Sequence, residues 1–211
     1  MNKKKILLLG NGGHCRSVID TLISLNTYDE IGIVEKYSSN IDNNNLIVGS
    51  DDDLPTLFDK GWREAFITVG SVGNTRIRES LYLRLKELDF EMPSIIDPSA
   101  VVSQETQIEE GVFIGKRAVI NTGAKISSCA IINTGAIVEH DCIVGKFTHI
   151  SPGSVLCGQA TVGNFSHIGA GSVVRQQISI GDRVLIGAGS VVVKDLPSEI
   201  KAFGNPCRII T

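Results

Sequence analysis

A six-residue repeat of branched aliphatic side chains runs through the second half of the chain. Every sixth residue from position 102 to position 192 is Ile, Val or Leu, without a break. This period matches neither the 3.6 residues of an α-helix nor the alternation of a β-strand. It predicts a hexapeptide β-helix, in which one aliphatic per unit points into a continuous core. The column positions are Val102, Ile108, Ile114, Ile120, Ile126, Ile132, Val138, Val144, Ile150, Leu156, Val162, Ile168, Val174, Ile180, Ile186 and Val192.

The positions two residues before these aliphatics support the same fold, because most of them carry small or short side chains. A β-helix has a narrow interior, and a second inward position has room only for such residues. Those that fit are Ala118, Ala124, Ala130, Ala136, Cys142, Thr148, Ser154, Ala160, Ser166 and Ser172.

The first hundred residues alternate between strand and helix patterns. This alternation predicts a small parallel sheet of Rossmann type. A linker at Pro93–Ser99 separates it from the repeat, and the Pro- and Gly-containing tail beyond Val192 is expected to cap the last coil. The predicted elements are strands at Lys5–Leu9, Ile31–Glu35, Leu46–Val48 and Ala65–Val69, and helices at Cys15–Leu25, Asp52–Lys60 and Asn74–Leu88.

Charge and composition exclude several classes of function. The net charge is −3, and the only basic cluster is Lys3–Lys5, so a nucleic-acid or anionic-membrane partner lacks an electrostatic footprint. The apolar run Ile6–Leu9 is too short for a signal peptide, and no other stretch approaches a membrane span. The five cysteines include no CxxC pair, which favours reduced thiols in a cytoplasmic protein.

The glycine-rich loop Gly10–His14 has the chemistry of a phosphate-binding site. Bare backbone N–H groups at the start of a helix favour an anion. Glu35 closes the second strand, where a carboxylate commonly accepts ribose hydroxyls. Cys15 stands where the full dinucleotide fingerprint has glycine, so a sugar-nucleotide diphosphate is favoured over NAD. The alternative is that the loop is only a tight strand-to-helix turn.

Polar residues that the repeat does not require are concentrated in two coils. His149 and His167 are eighteen residues apart, so a three-faced coil would stack one on the other. His140 falls at a corner just after a column residue, where Asp141 can orient it as a general base. The alternative is that these histidines are ordinary surface or corner residues. No Cys/His spacing predicts a zinc site.

These residues together resemble the left-handed β-helix acyltransferases. Within them the chain is most similar to the nucleotide-linked amino-sugar N-acetyltransferases and the NeuD-type sialic acid O-acetyltransferases. The resemblance covers essentially the whole chain. Its motifs are Gly10-Asn11-Gly12-Gly13-His14, Gly70 followed by Asn74-Thr75-Arg76-Ile77-Arg78, Glu139-His140-Asp141-Cys142, and Gly204-Asn205-Pro206.

The resemblance implies a Rossmann-like sugar-nucleotide-binding domain at residues 1–94 and a left-handed parallel β-helix with a C-terminal cap at 95–211. It implies acetyl-CoA as co-substrate, no metal and a homotrimer whose active sites lie between subunits. His140 is the implied general base, Asp141 raises its basicity, and Asn133 lies near the reacting centre. The implied coenzyme contacts are His149 and the backbones of Gly158, Ala170 and Ala188. The implied sugar-nucleotide pocket comprises Gly12, Gly13, His14, Glu35, Lys36 and Gly70.

The leading hypothesis is therefore N-acetylation of a nucleotide-linked 4-amino-4,6-dideoxy sugar for bacterial surface glycan synthesis. The main alternative is O-acetylation of free sialic acid with the same donor and base. Two non-transferase hypotheses are weaker. A scaffold or nucleotide sensor would not need the set Asn133, His140, Asp141 and His149, and an NAD-dependent oxidoreductase would not have Cys15 in its fingerprint.

Overall fold

The computed structural model describes residues 3–35 and 46–210. It divides into two compact units, the first formed by Met1–Gly70 with Arg76–Ile95 and the second by Ser71–Thr75 with Ile96–Thr211. None of the helices among the described residues is long and apolar enough to cross a membrane. The assignment of residues 1–94 and 95–211 to separate functional domains stays a prediction.

The first unit contains the predicted parallel sheet, with strand order β3-β2-β1-β4. The strand β1 lies inside the sheet, and Ile6–Leu9 are completely buried, which explains its uninterrupted apolar sequence. The elements are β1 (Lys5–Leu9), α1 (Gly13–Leu25), β2 (Glu30–Val34), β3 (Ile47–Gly49), a 3-10 turn (Asp51–Asp53), α2 (Leu54–Asp59), β4 (Glu64–Ile67) and α3 (Arg76–Glu87).

The predicted elements of this unit are confirmed, with shifts of one to two residues at most boundaries. Helix α1 begins at Gly13, two residues before its predicted start, because the extended backbone of Gly12 forms the N-cap. The helix predicted from Asp52 is α2 preceded by the 3-10 turn, whose start is closed by reciprocal hydrogen bonds between Ser50 and Asp53.

The second unit is a β-helix of three parallel sheets whose strands pair at eighteen-residue intervals. Sheet I contains β5 (Ile95–Ile96), β8 (Phe113–Ile114), β11 (Ile131–Ile132), β14 (His149–Ile150), β17 (His167–Ile168), β20 (Leu185–Ile186), β22 (Lys201–Phe203) and β23 (Arg208–Ile210). Sheet II contains β6 (Val101–Val102), β9 (Val119–Ile120), β12 (Ile137–Val138), β15 (Val155–Leu156), β18 (Val173–Val174) and β21 (Val191–Val192). Sheet III contains β7 (Gln107–Ile108), β10 (Lys125–Ile126), β13 (Ile143–Val144), β16 (Thr161–Val162) and β19 (Ser179–Ile180).

The core of the β-helix is the predicted aliphatic column with its small neighbours. Column residues from Ile114 to Val192 are at most 2% exposed, whereas Val102 and Ile108 at the first coil are only partly buried. Inward hydroxyls are paired with backbone, as when Thr148 Oγ1 donates to the Gly163 carbonyl at 2.6 Å. Beyond Val192, β22 continues sheet I by pairing with β20 and pairs in turn with the antiparallel strand β23. That this tail caps the last coil stays a prediction.

Candidate active site

His140 and Asp141 form a turn between β12 and β13, at the corner where sheet II meets sheet III. We call this corner II/III. His140 Nδ1 lies 2.9 Å from Asp141 Oδ2, and the two side chains are 52% and 56% exposed. Because the carboxylate is an acceptor, it places the imidazole proton on Nδ1 and leaves the Nε2 lone pair for a reactant. The predicted pairing of His140 with Asp141 is present in the structure.

The other carboxylate next to His140 has a different partner. Glu139 Oε2 accepts a hydrogen bond from Asn121 Nδ2 at 2.9 Å, one coil away. Asp141 is therefore the residue that orients the imidazole.

A pocket of about 220 Å³ opens beside His140. Gly158 lies beneath the imidazole, since a Cβ at residue 158 would stand only 2.4 Å from His140 Nε2. Gln159, Gln176 and Gln177 complete the lining, and Gln177 Nε2 donates to Gln159 Oε1 at 2.9 Å. These glutamines were not predicted from the sequence. Gln159 lies eighteen residues after Asp141, and Gln176 and Gln177 lie thirty-six residues after His140 and Asp141, so this spacing was the signal that could have found them.

His149 lies on sheet I, and both of its ring nitrogens are engaged. Asn133 Nδ2 donates to His149 Nε2 at 3.0 Å, and His149 Nδ1 donates to the Ser71 carbonyl at 3.3 Å. Asn133 Oδ1 accepts the Thr134 backbone N–H at 2.7 Å, which fixes the orientation of the carboxamide. Ser71 was not predicted, and no local sequence pattern connects it to a residue 78 positions away.

His149 and His167 are register partners on β14 and β17, so the predicted stacking is confirmed. Their rings meet edge to face with centroids 4.9 Å apart. His167 Nε2 lies within hydrogen-bond distance of Ser151 Oγ at 3.2 Å, and burial lowers the pKa of His167. His167 therefore resists protonation and packs against His149.

His140 and His149 lie on opposite sides of the same β-helix. They are nine residues apart, which is half of an eighteen-residue coil, so corner II/III lies across the coil from sheet I. Asn133, Ala170 and Ala188 follow strands of sheet I, at the corner where it meets sheet II. Within the β-helix, one chain thus brings His140, Asp141 and Gly158 together and keeps them apart from Asn133, His149, Ala170 and Ala188.

The first unit places most of the predicted sugar-nucleotide residues at one edge of its sheet. Gly12 is the N-cap of α1, and a Cβ at Gly12 or Gly13 would meet nothing within 4 Å. A pocket of about 260 Å³ is lined by Gly10 of the same loop, by Glu35 and by Asp51, which was not predicted from the sequence. The predicted Lys36 lies outside the described residues.

His14 follows the two glycines and packs close to Gly70, whose Cβ would stand 3.7 Å from that of His14. Burial, assisted by the positive charge of Arg78, lowers the pKa of His14 to about 4. The imidazole is therefore neutral at pH 7. Arg78 is only 2% exposed and was not identified as a site residue from the sequence. The described residues include no cluster of His, Cys, Asp or Glu that could hold a metal ion.

Both halves of the chain match known protein families. Residues 5–85 match the model of the PglD N-terminal domain, and residues 159–194 match the bacterial transferase hexapeptide (six repeats).

Solved structures match over nearly the whole chain. A histidine-to-asparagine variant of perosamine N-acetyltransferase from Caulobacter crescentus, in complex with CoA and GDP-perosamine, is 34% identical with a TM-score of 0.92. The match covers 98% of this chain and 97% of that one. The acetyltransferase domain of PglB from Neisseria gonorrhoeae FA1090, in complex with acetyl coenzyme A, is 33% identical with a TM-score of 0.92 over 99% and 100% of the two chains. WeeI from Acinetobacter baumannii AYE shares the fold at 23% identity, with a TM-score of 0.87 over 98% and 100%.

Proposed function

This chain belongs to the left-handed β-helix family of sugar N-acetyltransferases, and we propose that it acetylates the amine of a nucleotide-linked 4-amino-4,6-dideoxy sugar, with acetyl-CoA as donor. The observation that carries the proposal is the His140–Asp141 pair, whose Nε2 faces the backbone of Gly158 in an open pocket. Complexes of two relatives with CoA or acetyl-CoA, one of them also with GDP-perosamine, support both reactants.

His140 acts as the general base of a direct transfer. The sugar nitrogen attacks the thioester carbonyl carbon, and His140 Nε2 takes a proton from that nitrogen as the C–N bond forms. Asp141 holds the Nδ1 proton and stabilises the resulting imidazolium. The tetrahedral oxyanion accepts a hydrogen bond from the Gly158 backbone N–H. The C–S bond then breaks, CoA thiolate departs, and His140 returns the proton to it. No step requires a covalent acyl-enzyme or a metal.

The acceptor's nucleotide occupies the first unit. Its diphosphate lies at the N-terminus of α1, where the backbone of Gly12 and Gly13 is uncovered by side chains. Glu35 accepts ribose hydroxyls from the adjoining pocket, with His14 and Gly70 beside the loop. Lys36 belongs to this proposal by resemblance alone.

We place the active site between two copies of the chain in a homotrimer. His140 stands nine residues, half a coil, from His149 and seven residues from Asn133 at the next corner, so one thioester cannot meet both groups within a single chain. Corner II/III of one subunit then supplies the base and Gly158. The neighbouring subunit supplies Asn133, His149 and the exposed backbone at Ala170 and Ala188, along which CoA lies. We assign the enzyme to the cytoplasm because acetyl-CoA is available there.

Thiol release from acetyl-CoA tests this function against a panel of GDP-, UDP- and dTDP-linked 4-amino sugars and free sialic acid. We expect release with one nucleotide-linked amino sugar, and an N-acetyl product by NMR. Replacing His140 by Ala should lower kcat/KM by about 10²- to 10⁴-fold, the range for loss of a general base. Release with sialic acid alone, or wild-type turnover by His140→Ala, would contradict the proposal.

A further inference from the structure

The second turn position of corner II/III recurs every eighteen residues and is occupied by Glu105, Gly123, Asp141, Gln159 and Gln177. Four of these five residues have long or charged side chains. Gly123 is the exception, and it lies one coil before Asp141, whose backbone N–H donates to the neighbouring Thr122 carbonyl at 3.0 Å. The one position of this row that has no side chain therefore lies directly beside Asp141, the residue that orients His140.

The carboxylate of Asp141 fills the space that a side chain at residue 123 would occupy. A Cβ built on Gly123 would stand 2.5 Å from Asp141 Oδ1 and 3.5 Å from Asp141 Cγ. The second oxygen, Oδ2, is the one that meets His140 Nδ1 at 2.9 Å. Because a contact of 2.5 Å is far inside van der Waals distance, any side chain at 123 must displace the carboxylate.

The turn itself does not require glycine at this position. Gly123 has a φ of +70°, but non-glycine residues occupy the same left-handed conformation elsewhere in the β-helix. Examples are Arg117, Cys129, Phe147, Gln159 and Phe165, with φ between 55° and 63°. What distinguishes position 123 from these turns is the carboxylate above it.

Local packing matters here because the His140–Asp141 pair is half exposed and burial does not hold it together. An exposed ion pair contributes little by itself and does not fix two side chains in one geometry. The hydrogen bond from Nδ1 also tolerates little displacement, since lengthening it by about 0.6 Å exceeds hydrogen-bond distance. Two glycines on the adjacent coils thus make room for the pair. Gly123 leaves space for the Asp141 carboxylate, and Gly158 leaves space for the His140 imidazole.

We propose that Gly123 is a positioning residue of the transfer reaction, which leaves a slot for the Asp141 carboxylate and so keeps His140 oriented over Gly158. The inference rests on the proposed function, because it assigns Gly123 a role through the general base. A side chain at 123 turns Asp141 away from Nδ1 and leaves both reactant sites in place. The rate of the chemical step therefore falls, and the KM values do not change.

Gly123→Ala tests the inference, with Gly61→Ala as a control that lies in neither proposed reactant site. Gly61, between α2 and β4, also has a positive φ (+91°), and its Cβ would meet nothing within 4 Å, so both variants carry a backbone cost. We expect kcat of Gly123→Ala to fall about tenfold or more, a part of what a general base contributes, and Gly61→Ala to stay within about twofold of wild type. If alanine prevents folding, Gly123→Asn and Gly61→Asn replace the pair, because Asn adopts left-handed φ readily.

A double-mutant cycle separates positioning from a merely structural role. If Gly123 acts through Asp141, Gly123→Ala combined with Asp141→Ala is no slower than Asp141→Ala alone. The pH–rate profile of Gly123→Ala should also coincide with that of Asp141→Ala. Wild-type kcat in Gly123→Ala, or losses that multiply in the double variant, would overturn the inference. Wild-type turnover in His140→Ala would instead overturn the proposed function.

Discussion

Corner II/III and sheet I each present a histidine from the same coil, and the two environments are opposite. At the corner, His140 is half exposed, has a carboxylate at Nδ1, and directs Nε2 into a pocket. On the sheet, His149 has hydrogen bonds at both nitrogens, to the Asn133 side chain and the Ser71 carbonyl. His167 packs against its ring.

The hydrogen bonds of the two rings suit different roles. Those of His140 suit a group that moves a proton, and those of His149 suit a group that orients its neighbours. A general base needs one nitrogen within reach of the reactant and the other tied to an acceptor, as at His140. A ring with two fixed hydrogen bonds orients the groups around it, and at His149 the oriented group is the Asn133 carboxamide. Under the proposed function, the β-helix carries two parts of one reaction on opposite sides, which is why we place the site between two copies.

The largest effect is expected from adding one methyl group at residue 158, beneath His140. In Gly158→Ala the new Cβ would lie 2.4 Å from His140 Nε2, so the imidazole must leave its position. Gly158 does not have a positive φ, and alanine there does not strain the backbone. We expect kcat/KM to fall about 100-fold with an unchanged Tm, as measured by steady-state thiol release and thermal unfolding. Wild-type kinetics in Gly158→Ala would show that the reaction does not need His140 in its position over Gly158.

A smaller effect is expected from His149→Phe, which keeps a ring on sheet I and removes its hydrogen bonds. The loss of about 1–2 kcal/mol of hydrogen bonding to Asn133 and Ser71 corresponds to about a tenfold loss in kcat/KM. The pH–rate profile should keep its wild-type shape, because the base at His140 is intact. A profile altered in the same way as that of His140→Ala would contradict the division of roles.

An effect on stability rather than on activity is expected from the buried histidines, and it sharpens their contrast with the half-exposed His140. Burial lowers the pKa of His167 below its ordinary value, and burial with Arg78 lowers the pKa of His14 to about 4. The unfolded chain therefore binds protons that the folded chain does not, for His14 between about pH 6.5 and 4, and stability falls as pH falls.

For His14 this amounts to a loss of about 2 kcal/mol at pH 5 relative to pH 8. Urea unfolding at the two pH values measures it, followed by the fluorescence of Trp62, a buried residue of the first unit. His14→Gln should remove most of the pH dependence from that signal. An equal dependence in His14→Gln would show that other groups cause it.

The sequence predicted what depends on regular spacing. The six-residue period predicted the inward column that is buried from Ile114 to Val192. Three such units make an eighteen-residue coil, and this coil length predicted that His149 stacks on His167. In the first unit, the apolar run Lys5–Leu9 predicted β1 correctly, because a strand buried inside a sheet has no polar face. Motif resemblance then located His140 beside Asp141.

Contacts that depend on side-chain direction or on distant segments could not be predicted. The Ser71 carbonyl reaches His149 from 78 residues away, and nothing near either residue indicates the pairing. Glu139 and Asp141 flank His140 equally in the sequence, and only the structure shows that Glu139 turns to Asn121. In the sequence nothing distinguishes Gly123 from the other glycines of the repeat, and only the structure shows the Asp141 carboxylate in the space of its missing side chain.

The most direct test of the two-sided site mixes two inactive chains, one carrying His140→Ala and the other Asn133→Ala with His149→Phe. The first alone should have less than about 1% of wild-type activity and the second less than about a tenth, because every site lacks one half of its machinery. Refolded together in equal amounts, about one site in four combines an intact corner II/III with an intact sheet I, and about a quarter of wild-type activity returns. A mixture no more active than its separate components would contradict a site shared between chains.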